Sequence, residues 1–134
     1  MEVSGSPSTI WFARLGALCY AAWGLFHCKV AYDIFQLGRA ADGLSQGRLY
    51  QLAAYMLIIS LFVLGTAALR NWRNDREGYW QNLIVAGLAD GIWVVVVVLP
   101  GYVDLARGLI PPAIFVAGAV LTSIGYRRRK NSMS

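Results

Sequence analysis

Residues Tyr79–Leu99 read YWQNLIVAGLADGIWVVVVVL, an apolar run with one charged side chain, Asp90, near its middle. A span of about 20 residues crosses a hydrocarbon core of about 30 Å at a helical rise of 1.5 Å per residue, and this run is that long. Its five consecutive valines, Val94–Val98, would favour a strand in water. In lipid an isolated strand leaves its backbone N–H and C=O groups unpaired, so the helix wins.

Working outward, three further segments have the same character. The sequence predicts helices over about 10–37, 48–70, 79–99 and 105–126, joined by a polar loop at 38–47, a basic turn at 70–76 and the breaker Pro100-Gly101. Pro111-Pro112 admits two readings, a kink within the fourth segment or a helix that starts there. The expected fold is all-α: one domain over residues 1–134, an integral membrane four-helix bundle. Composition supports it. With 57% hydrophobic and only 14% charged residues, against about 25% charged in soluble proteins, a chain this short could not hide its apolar surface from water. Lipid is the required solvent.

The placement of Lys and Arg predicts topology. With the N-terminus inside, Arg14, Arg70, Arg73, Arg76 and Arg127–Lys130 face the cytoplasm, while Arg39, Arg48 and Arg107, with Lys29 near the boundary, face away. That asymmetry puts both termini in the cytoplasm and suits a multi-pass protein of the plasma (inner) membrane. It also argues against a dual-topology transporter, whose two sides would balance. The net charge of +5 does not indicate nucleic acid, because the basic residues cluster at the ends of apolar runs rather than in a stripe. The first segment lacks a basic region before Arg14 and is too long for a cleaved signal peptide. Cys19 and Cys28 fall on opposite sides of one helix and cannot pair, and no CxxC exists.

Several polar residues need reasons. Asp90 lies near the bilayer midplane, where a carboxylate costs roughly 2.5–3.5 kcal/mol, so it must face the bundle interior, find a partner or be protonated. His27 lies about 15 Å from the far end of the first segment and Asp90 about 13 Å from the far end of the third, so antiparallel helices put them at one depth. Around His27 the helical stripe is Gly16, Tyr20, Trp23, Gly24, Ala31 and Ile34; around Asp90 it is Tyr79, Ala86, Gly87, Trp93 and Val97, with Asn82 at the margin. Small residues allow close backbone approach and aromatics can wall a cavity. In the second segment Arg48, Gln51 and Tyr55 share a face, and Tyr55 is expected to reach toward His27 and Asp90.

The expected site therefore has Asp90 and His27 as catalytic groups and Tyr55, Gln51, Trp23, Trp93, Tyr20 and Asn82 around the substrate. One histidine cannot build a typical zinc site, no phosphate loop or nucleophilic triad is present, and no metal or cofactor is expected. Lys29 and Asp33 are expected to form a local ion pair, Asn74-Asp75 to make a turn, and Arg127–Lys130 to stop transfer and touch anionic lipid. Three function classes fit. One is an enzyme doing acid/base chemistry on a lipophilic substrate, in the manner of an isomerase or cyclase. The second is a non-catalytic membrane subunit, in a homo-oligomer or with a membrane partner, whose polar residues lock helix packing. The third is a small proton-coupled transporter with Asp90 as carrier.

Overall fold

The computed structural model describes residues 7–131. They form an all-α bundle: α1 (Pro7–Arg39), α2 (Gly43–Leu69), a 3-10 turn (Asn71–Arg73), α3 (Arg76–Trp93) continued by a π-helical turn (Val94–Val98), a short α4 (Leu105–Gly108) and α5 (Ile110–Asn131). Four helical stretches, at Thr9–Arg39, Gly43–Arg73, Arg76–Val98 and Leu105–Asn131, are long and apolar enough to cross a membrane. The start of α1, the end of α5 and the 3-10 turn gather at one end, hereafter the terminal end. There Asn74 Nδ2 donates to Gly125 O at 3.0 Å, and Arg14 lies against the rings of Trp11 and Trp72.

The helices run longer than the sequence suggests. The loop expected over 38–47 shrinks to residues 40–42, because α1 continues to Arg39 and α2 starts at Gly43, whose φ of +59° costs an achiral residue little. The fourth segment divides at Leu109. The carbonyls of Asp104 and Leu105 accept from Gly108 and Leu109 to close α4, and α5 then opens with Pro111 and Pro112 in its first turn, where missing N–H groups leave no bond unmade. The helix recovers the lost length by running past Arg127 to Asn131. The valine run is helical, but wound with i→i+5 bonds: Leu99 N donates to Val94 O and Tyr102 N to Val97 O. These bonds pair the backbone locally and leave it no need of a neighbouring strand.

Helix α1 is the hub. On one side it packs against α5 so closely that a Cβ at Gly16 would lie 2.5 Å from Thr122 Cγ2 and 2.9 Å from the Thr122 backbone nitrogen. On the other side, a Cβ at Gly24 would lie 3.1 Å from Ser60 O on α2. Small residues at these points let backbones approach and gain dispersion contacts, the main source of helix association where lipid is as apolar as the side chains. Between the seams Tyr20, Trp23, Val63, Ala67 and Ala86 make the fully buried core.

Candidate functional site

The core contains Trp23, His27 and Asp90, three of the residues that the sequence singles out. Trp23 and His27 stand one turn apart on the buried face of α1, and Asp90 projects from α3 opposite them; Asp90 is 3% exposed and His27 7%. An indole N–H is a donor only, so a fully buried tryptophan needs an acceptor. Trp23 finds it across the bundle: Nε1 donates to Asp90 Oδ2 at 2.9 Å. The imidazole of His27 stacks on the Trp23 indole, with ring centroids 3.7 Å apart and planes 26° from parallel.

One hydrogen bond fixes which imidazole nitrogen carries hydrogen. His27 Nδ1 lies 2.8 Å from the carbonyl oxygen of Trp23. A carbonyl only accepts, so Nδ1 carries hydrogen and donates. That leaves Nε2 facing Asp90 Oδ1 at 3.9 Å, and this buried oxygen makes no hydrogen bond. A neutral ring beside an ionised carboxylate would oppose lone pair to lone pair. The 3.9 Å gap is longer than a hydrogen bond, so the two groups stand as buried neighbours without a direct bond.

Beside this pair lies a cavity of about 400 Å³, within the range of small-molecule sites. His27 forms part of its wall, with Ile34 from α1, Leu52 and Met56 from α2, Trp93 from α3, Val97 from the π-helical turn, and Pro111 from α5. Trp93 is fixed by donating Nε1 to Gly108 O at 2.8 Å, which ties α4 across the end of the cavity. Arg107 reaches the same rim and pairs with Asp104 at 3.3 Å. Leu52, Ile92 and Val96 are at once wall and exposed surface, so the mouth lies between α2 and α3.

Other expected site residues lie elsewhere. Gln51 Nε2 donates to Tyr55 Oη at 2.6 Å and Arg48 to Gln51 Oε1 at 3.1 Å. This chain runs along the outside of α2, where Tyr55 is 55% exposed, and neither Gln51 nor Tyr55 lines the cavity. Their face is turned away because Leu52 and Met56, one position on from each, take the inward place. Asn82 is fully buried but two turns of α3 from Asp90 toward the terminal end, donating to Val63 O at 3.2 Å and lying with its side-chain amide 3.0 Å from that of Asn71. It holds α2, α3 and the intervening turn together and does not touch the cavity. Tyr20 is buried on the α5 side, tilted against Phe115 with centroids 6.3 Å apart.

Three features went unread in the sequence. Trp23, expected as a wall, is the direct partner of Asp90; a donor-only ring one turn before a histidine in an apolar segment is the signal that marks it. Arg107 and Pro111 join the rim through the break at Leu109, which no periodicity announces. Asn74, the only described non-glycine residue at positive φ (55°), anchors the turn to α5 through Gly125 O. Among the described residues, no three His, Cys, Asp or Glu side chains cluster.

Fold and site together define the class: an all-α bundle of four potential membrane spans, with a carboxylate bonded to an indole and an imidazole stacked on that indole, in its core beside an apolar cavity. Comparison with known protein families, curated proteins and solved structures found no match.

Proposed function

We propose that this is a multi-pass membrane protein, with both termini cytoplasmic, that binds a lipophilic substrate between α2 and α3 and moves a proton on it. One observation carries the reading: an apolar cavity of about 400 Å³ has His27 in its wall, and His27 faces the buried carboxylate of Asp90. The chemistry that suits such a site is isomerisation or cyclisation. The pair delivers its proton to one atom of the substrate and recovers one from a neighbouring atom, so nothing is oxidised, no co-reactant is consumed and the pair ends as it began. His27 is the group in reach of substrate. Asp90 holds the counter-charge, and Trp23 holds Asp90 by its indole N–H. Trp93, Ile34, Met56 and Pro111 exclude water, which strengthens every charge interaction within.

The Trp23–Asp90 bond also favours a second reading, in which the cluster locks α1 to α3 in a non-catalytic subunit. The two readings part at the cavity. Wild type and a Met56→Trp variant, purified from membranes, would be compared by mass spectrometry of the lipophilic molecules they carry. Filling the cavity should eliminate one molecular species while the bundle stays folded. That species, given to wild type and to His27→Gln in liposomes, should be converted only by wild type. If both proteins carry the same lipids in the same amounts, the substrate site is lost and the packing reading stands.

A further inference from the structure

We propose that the terminal end holds one anionic phospholipid headgroup in a discrete site formed by Arg76, Lys130, Arg129 and Tyr126. These side chains surround a recess of about 260 Å³ between the start of α3 and the end of α5. The site goes beyond the diffuse attraction that any basic stretch has for an acidic membrane surface.

Three observations support it. First, charge within the recess is of one sign among its described lining residues: Arg76, Arg129 and Lys130 line it and no acid does. The neighbouring recess, which shares Arg129 as a wall, also contains Asp75 and Glu77, and both of these pair with Arg70. Second, part of the recess is fixed before any ligand arrives. Arg129 donates from Nη1 to the Asn74 carbonyl, and Tyr126 stacks on Tyr79 with ring centroids 4.7 Å apart and planes within 2°. Pre-ordered groups lose less freedom on binding. Third, depth is right for a headgroup. Trp80 is exposed one turn into α3 from Arg76, and exposed tryptophan beside tyrosine and arginine at a helix end is the pattern of the lipid–water boundary.

The ligand chemistry follows. A phosphate diester presents acceptor oxygens to guanidinium and ammonium groups, and its acyl chains would lie along the apolar outer faces of α3 and α5. Zwitterionic lipids carry the same phosphate, but their ammonium would meet Arg76 and Lys130. Phosphatidylglycerol-type headgroups avoid that repulsion and are the favoured class.

The test is native mass spectrometry of the full-length protein in a neutral detergent with equal amounts of phosphatidylglycerol and phosphatidylcholine. One phosphatidylglycerol should be retained preferentially. Arg76→Gln with Lys130→Gln should lower that preference by roughly 5-fold for each cation removed. Removing the same number of cations at the opposite end, by Arg39→Gln with Arg48→Gln, should leave it unchanged. Arg76→Lys with Lys130→Arg conserves charge and should keep the preference, which separates loss of the site from loss of the fold. An equal effect of the opposite-end pair, or no effect of the first pair, overturns the site. Displacement by millimolar inorganic phosphate would show a free-anion site instead and overturn the lipid assignment.

Discussion

Trp23 Nε1 and Asp90 Oδ2, 67 residues apart in the chain, meet at 2.9 Å in the middle of the bundle. The bond satisfies a donor that cannot accept and a carboxylate that could not stay buried unaided. It also orients both partners: the carboxylate turns its second oxygen toward His27, and the indole offers its face to the imidazole. Stability and any chemistry at His27 therefore depend on the same contact.

Removing the donor alone should cost more than removing both partners. Trp23→Phe leaves a buried carboxylate without its hydrogen bond and should destabilise the bundle by about 1–3 kcal/mol. Adding Asp90→Leu should recover part of that loss, because neither site then buries an unpaired polar group. A double-mutant cycle measured by reversible unfolding in mixed micelles checks this; strict additivity would show that the bond contributes nothing.

Asp90→Asn keeps an acceptor for Trp23 but cannot ionise. The melting temperature should stay close to wild type, while Asp90→Leu, which strands the indole N–H, should lose about 1–3 kcal/mol. Equal loss in both variants would mean that charge, not the hydrogen bond, holds the helices. The comparison needs no knowledge of the substrate.

At the α1–α5 seam, Gly16→Val should destabilise by about 1–3 kcal/mol or more. The added atoms meet the Thr122 and Gly118 backbones, which cannot move aside as a flexible side chain would. Gly65→Val, where nothing lies within 4 Å, is the matched control and should change little. Thermal unfolding of the two proteins side by side decides the point.

At the terminal end, Asn74→Ala removes the bond to Gly125 O and places alanine at φ 55°. Both effects act in one direction, with a combined cost of about 1–3 kcal/mol. Asn74→Gly relieves the backbone strain and should recover part of it. Proteolysis within residues 70–76 should rise in the alanine variant first, since this turn is what the bond holds down.

What the sequence revealed, and what it hid, divides along one physical line. Depth was readable, because helical rise is fixed: counting residues from the segment ends set His27 and Asp90 at one level, and the structure has them 3.9 Å apart. Rotation about the helix axis was readable only where the face is marked. Helix α1 carries Gly16, Tyr20, Trp23, Gly24, His27 and Ala31 along one side, and all of them are buried. Past Arg48, Gln51 and Tyr55, helix α2 is apolar on every side, so little in its pattern tells which face points inward. Tyr55 and Gln51, polar as they are, point outward. Asn82 was misplaced for a different reason. It shares the inward side of α3 with Asp90, but two turns, about 11 Å, separate them along the axis, and each turn of a long helix meets different neighbours.

The gap between α2 and α3 sets a further condition on whatever occupies it. The two helices meet near the terminal end, where Asn82 bonds to Val63, and the cavity separates them farther along. Because the mouth opens on apolar flank rather than at either polar end, a visitor would reach His27 sideways, without passing through water. Occupancy would then follow the visitor's mole fraction among its neighbouring lipids and not its aqueous concentration. On the proposed function, diluting the bilayer with inert lipid should lower occupancy of the cavity, while diluting the buffer should leave it unchanged.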